Sequence, residues 1–218
     1  MKIMKTILVI ALIILGQTLL AQSNRFGSRD KQLSILFGLN QPIVLGGFNV
    51  EANFWTKRFV VDYSHGFNLH VDGEFAGGEI ERQQLDILVT NSLGLGLGYR
   101  ITRGFNVRLE PKIHFFELYY KGEVQNAENK IGDYSTFTFG VGAYYRWMPW
   151  ENKLNGWRGL TVSPSVRFWP NISSSLDNDE LTYNNKLTGN LETHSAANIG
   201  VSDSPWIFNI SIGYTFNL

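Results

Sequence analysis

Cysteine is absent from all 218 residues, so the fold is held together without disulfides. A surplus of either charge is also missing. Nineteen Lys and Arg balance nineteen Asp and Glu, which argues against a nucleic-acid binder that works by neutralising phosphates. Beyond the first twenty residues, no apolar run is long enough to cross a bilayer as a helix. What is plentiful is glycine (22) and aromatic residues (14%), a mixture common in β-rich proteins.

The chain begins Met-Lys-Ile-Met-Lys, runs apolar from Thr6 to Gly16 and reaches Leu19-Leu20-Ala21-Gln22. A charged start, a short apolar core and a small residue at its end predict a secretory signal peptide cleaved after Ala21. The run is short for a retained anchor, which needs roughly 20 apolar residues. Residues 1–21 are therefore expected to be removed on export, and 22–218 to form one domain.

Alternation with a period of two then dominates. At the C-terminus Trp206, Phe208, Ile210, Ile212, Tyr214, Phe216 and Leu218 share one face, against Asn209, Ser211, Gly213, Thr215 and Asn217 on the other. Phe48, Val50, Ala52 and Phe54 likewise oppose Asn49, Glu51 and Asn53. Leu85, Ile87, Val89, Leu93, Leu95, Leu97 and Tyr99 oppose Asp86, Thr90 and a row of glycines at 94, 96 and 98. In all, eight strands are predicted, at about 33–39, 48–54, 59–70, 85–99, 105–115, 136–147, 160–168 and 206–218. A bulge is expected near Phe115-Phe116-Glu117, where the apolar phase slips. Short turns alternate with longer loops at 71–82, 121–133 and 170–205, although the 148–159 connection is long for a turn. This is the rhythm of an all-β, eight-stranded antiparallel transmembrane barrel.

A soluble barrel or sandwich would turn its apolar face inward. Here that face is large and almost uncharged, and aromatic residues gather at strand ends. Phe54, Trp55, Phe59, Tyr99, Phe105, Tyr145, Trp147, Tyr214 and Phe216 fall toward the short turns; Tyr119, Tyr120, Phe137, Trp169 and Trp206 fall toward the long loops. Such belts suit the two lipid–water boundaries. The leader, the eight alternating strands and the final Gly213-Tyr-Thr-Phe-Asn-Leu resemble the small bacterial outer-membrane barrels of the OmpA/OmpX type. That resemblance implies outer-membrane lipid and lipopolysaccharide as surroundings, and the barrel assembly machinery as reader of the last strand. It implies no particular activity.

The polar face carries Glu51, Asp62, Asp86, Arg108, Glu110, Lys112, His114, Arg146 and Arg167. In a barrel just wide enough to be filled by side chains, these are expected to form a lumenal charge network that plugs the lumen; a narrow gated path is the alternative. Tyr63-Ser-His-Gly-Phe-Asn-Leu-His70 is the most enzyme-like stretch. It is weighed against small outer-membrane lipid A deacylases, whose His-x-Ser spacing it lacks, because Ser64 and His65 point to opposite faces. His70 and Asp72 with Glu74 nearby are too few for a convincing metal site. The glycine row lacks the helix and lysine of a phosphate loop, and its glycines are expected to make room for bulky lumenal partners such as Tyr144. No catalytic residue, cofactor, metal or nucleic-acid partner is expected. The expected role is structural, or surface interaction through the three long loops, with a passive pore or a lipid A-modifying enzyme as alternatives.

Overall fold

The computed structural model describes residues 31–200 and 202–218; the expected signal peptide lies outside them. Eight strands close into an antiparallel barrel: β1 (Gln32–Gly38), β2 (Phe48–Trp55), β3 (Phe59–Val71), β4 (Leu85–Arg100), β5 (Phe105–Tyr120), β6 (Gly132–Tyr145), β7 (Leu160–Phe168) and, after an excursion, β11 (Trp206–Asn217). Pairing of β11 with both β1 and β7, and of β5 with β6, completes the ring. The intervening segment is not the open polar loop its composition predicts. It contains β8 (Asn171–Ser174), which continues along β6 past the Trp169-Pro170 break, and a hairpin of β9 (Glu180–Asn184) and β10 (Leu191–Ser195).

The barrel has two storeys of opposite polarity. In the lower one, Phe59, Val61, Tyr63, Leu95, Leu97, Tyr99 and Leu109 face outward and are largely exposed, while Asp62, Ser64, Arg108, Glu110 and Lys112 are buried inside. Higher up the inside becomes apolar. Leu69, Leu85, Ile87, Val89, Phe116, Leu118 and Tyr134 form a buried core there. Two irregularities produce the inversion. Thr90 is an extra residue between Val89 and Asn91 in the β4–β5 ladder, and Asn68, at φ +54°, stands between Phe67 and Leu69 opposite it. Asn tolerates this left-handed conformation better than most residues, and each inserted residue swaps the faces of everything beyond it.

The expected bulge at 115–117 is thereby corrected. The β5–β6 register runs unbroken through Phe115, Phe116 and Glu117; the irregularity belongs to β4, and β5 keeps its even positions inward while their chemistry changes from charged to apolar. Above the barrel, α1 (Asn40–Val44), α2 (Gly73–Ala76), α3 (Gly78–Arg82) and the β9–β10 hairpin form a cap. Gln83 and Asn185 fasten it through Gln83 Nε2 to Thr193 O (2.7 Å) and Asn185 Nδ2 to Gln83 O (2.8 Å).

Candidate functional site

The lower lumen is packed with side chains. At its floor the Arg146 guanidinium lies 4.1 Å from the Trp55 ring centroid and donates to Gln32 Oε1 (2.9 Å), while Trp55 Nε1 donates to Ser34 Oγ (2.8 Å). Arg108 donates to Asn53 Oδ1 (2.7 Å) and Asn106 Oδ1 (2.8 Å), faces Asp62 at 3.5 Å and lies 3.8 Å from the Tyr144 ring centroid. One level up, Arg167 pairs with Glu51 (2.6 Å). Glu110 accepts from the Tyr144 hydroxyl (2.6 and 2.7 Å) and from Trp169 Nε1 (3.1 Å). At the top of this layer Lys112 donates to Ser64 Oγ and sits 4.0 Å from the Trp169 ring centroid. His114 bonds Ser92 Oγ (2.8 Å) and Thr138 Oγ1 (3.1 Å).

Eight of the nine charged or histidine positions read from the sequence thus line one interior. Asp86 does not. It lies beyond the Thr90 bulge, where the faces are exchanged, and its carboxylate accepts from the backbone N–H of Gly73 (2.9 Å) and Gly122 (3.0 Å), tying α2 to the 121–131 loop. The aromatic belts need a similar correction. Trp55 and Trp169 are buried inside the lumen, and Tyr119 and Tyr120 are buried at the cap. Simple parity would have found the two tryptophans: Trp55 is two residues from Asn53, and Trp169 two from Arg167, so each shares its neighbour's inward face. The inward glycines give these groups room. A Cβ on Gly96 would collide with the Asp62 carboxylate, one on Gly140 with Trp169, and one on Gly142 with Tyr144.

Trp206, Phe208, Ile210, Ile212 and Phe216 of β11 are exposed on the outer wall, in register with β1 on one side and β7 on the other. Leu218 lies just past the strand. Ser64 and His65 do point to opposite faces: Ser64 meets Lys112 inside, whereas His65 lies 3.3 Å from the Tyr63 hydroxyl outside. His70 pairs with Asn68 (3.0 Å). Among the described residues no group of three metal-ligating side chains is assembled.

Comparison with known protein families, curated proteins and solved structures finds no match for this chain.

A histidine that no motif in the chain singles out holds the cap. His194 is buried, with Nε2 3.1 Å from the Tyr134 hydroxyl; that hydroxyl also accepts from the Ala197 N–H (3.1 Å). Among the described residues its Nδ1 has no hydrogen-bond partner, and it faces Glu79 Oε1 at 3.9 Å. Burial pushes its pKa down to about 4. A folded value below the unfolded 6.5 means that the unfolded hairpin takes up the proton first. The cap's stability is therefore whole above about pH 6.5 and falls between there and about pH 4, by roughly 3 kcal/mol at most. Protease cleavage within 180–195 should accelerate over that window, and His194→Gln should flatten the profile.

Proposed function

We propose that this chain is an integral outer-membrane barrel of the OmpA/OmpX architecture, exported by its first 21 residues. Its lumen does not conduct, and its folded cap serves envelope structure or surface interaction rather than catalysis. The observation that carries this reading is the outward apolar band. Phe59, Tyr99, Phe105, Trp147, Tyr214 and Phe216 ring its lower edge, and Phe48, Phe67, Phe115, Phe168 and Trp206 its upper edge. From Phe105 to Phe115, ten rises of about 3.4 Å at a tilt of about 40° span about 26 Å, the height of a lipid-facing band. Exposing so much aromatic and aliphatic surface to water is unfavourable; lipid removes that cost, and the polarity inversion at Asn68 and Thr90 marks where the lipid would end. Trp150 and Trp157, exposed beside the lower ring with ring centroids 5.9 Å apart, suit the opposite interface.

The closed lumen is supported by the near-total burial of Arg108, Glu110, Tyr144 and Arg167. Purified protein reconstituted in planar bilayers should give no steady single-channel conductance; reproducible open levels would overturn the plug. Remaining monodisperse without detergent would overturn the membrane reading itself.

A further inference from the structure

Between the charged plug and the apolar upper core lies a cavity of about 320 Å³. Its walls are mainly apolar, with Leu69, Ile80, Ile87, Val89 and Phe116 among them, and Asp203, which accepts from the Asn198 N–H (2.6 Å), also lines it. Its floor is cationic, formed by Lys112 and Arg167 with Trp169 between them. It reaches the outer surface through a gap in the barrel wall. The β1–β11 ladder ends at Gly38 and Ser211, and β2 pairs with β1 only from Val50 onward. The space above is occupied by α1 instead of a strand, and Val44 and Phe208, 50% and 54% exposed, line the mouth.

Lys112 makes this space chemically specific. It is 2% exposed, and among the described residues its ammonium has a serine hydroxyl and a π-face as partners, with no carboxylate in ion-pair range. An ammonium has three protons to donate, so the observed hydroxyl leaves donor capacity directed at the cavity floor. Over the whole lumen five buried cations (Arg100, Arg108, Lys112, Arg146 and Arg167) stand against three buried carboxylates, Glu51, Asp62 and Glu110. Arg100 and Arg146 lie at the far end beside Trp55. Nearer the cavity Arg167 pairs with Glu51 and Arg108 faces Asp62, which leaves Lys112 as the cation without an ion pair there among the described residues. A buried cation requires a counter-charge or ample hydrogen bonding.

We infer that this cavity binds an amphipathic anion with a single alkyl chain, a fatty-acid-like carboxylate. Its head group meets Lys112, and its chain lies against the apolar walls and leaves between α1 and β11. The mouth lies at the level of Trp206 and Phe208, on the apolar outer wall. Under the membrane reading, the ligand therefore enters laterally from the lipid rather than through the cap. The cavity lies within the size range of small-molecule sites, where apolar walls supply affinity and a few polar groups fix orientation.

The test uses the full mature barrel in maltoside micelles, with folding verified by far-UV circular dichroism. Binding of carboxyl-¹³C-dodecanoate is followed by NMR and by Trp fluorescence. One saturable equivalent is expected, with dodecanol about tenfold weaker, the loss due to one missing charge-assisted hydrogen bond. Lys112→Met should weaken dodecanoate similarly, and Val89→Phe should block both ligands by filling the cavity. Lysophosphatidylglycerol in a parallel titration separates a lipid source from a free acid, because only a slim carboxylate reaches the floor. Absence of saturable binding by folded protein overturns the inference, as does binding insensitive to Val89→Phe or equal affinity for dodecanol. If the barrel proves soluble without detergent, the same titration in plain buffer tests the cavity separately from the membrane reading.

Discussion

Replacing Glu110 with alanine is expected to destabilise the barrel by about 3–5 kcal/mol, the usual cost of removing one partner from a buried charge cluster. Glu110 is 1% exposed and accepts from two rings at once, the Tyr144 hydroxyl and Trp169 Nε1. Its removal leaves both donors without that acceptor. It also leaves five lumenal cations against two carboxylates where three had stood. Glu110→Gln keeps an acceptor oxygen and should recover part of the loss, which separates the charge from the hydrogen bonds. Urea unfolding in detergent, followed by Trp fluorescence and by unheated gel mobility, measures both. A Glu110→Ala barrel within about 1 kcal/mol of the parent would mean that water compensates the cluster, and the lumen could not be a dry plug.

The second large effect lies on the opposite surface. Ile210 points outward from β11 midway along the apolar band, between Trp206 and Phe216, and is 47% exposed. Ile210→Arg is expected to cost about 2–4 kcal/mol in a bilayer, the value for a cation near the hydrocarbon midplane of a barrel. Thr182→Arg, on the exposed face of the cap hairpin, should stay within about 0.5 kcal/mol. Unfolding from phosphatidylcholine vesicles reads both. Equal, negligible costs would mean that water rather than lipid surrounds β11.

These two residues also show how much of the molecule was legible in the chain. Where a strand keeps strict alternation, one face is apolar and the other polar, so the inward position of Glu110 and the outward position of Ile210 follow from parity alone. Parity failed where one residue was inserted. Leu85, Ile87 and Val89 share odd numbering with Leu93, Leu95 and Leu97, so the row looks continuous although Thr90 sends its two halves to opposite sides of the wall. Asp86 departs from parity for the same reason. In β5 the inverse error arose: Phe116 and Leu118 are apolar and inward, which resembles a slip only if apolar is equated with outward. The cap was hidden because its strands are short and set among Asn, Thr and Ser. Its order depends on partners distant in sequence, as with Gln83 and Thr193. The cavity was also unreadable, because its floor and walls come from strands whose facing is exchanged halfway up.

The short helix α1 also governs how molecules can associate. A closed barrel normally has no free strand edge to invite another chain, yet β11 extends above the point where β1 stops. On the β1 side, among the described residues, its ladder is continued by Leu39 N–H to Ile210 O (2.9 Å) and the Asn40 side chain to Phe208 O. The chain then turns into α1, whose Pro42 cannot donate to a ladder. That turn blunts the upper edge of β11, so the barrel keeps a side opening in its wall without offering that edge to a foreign strand.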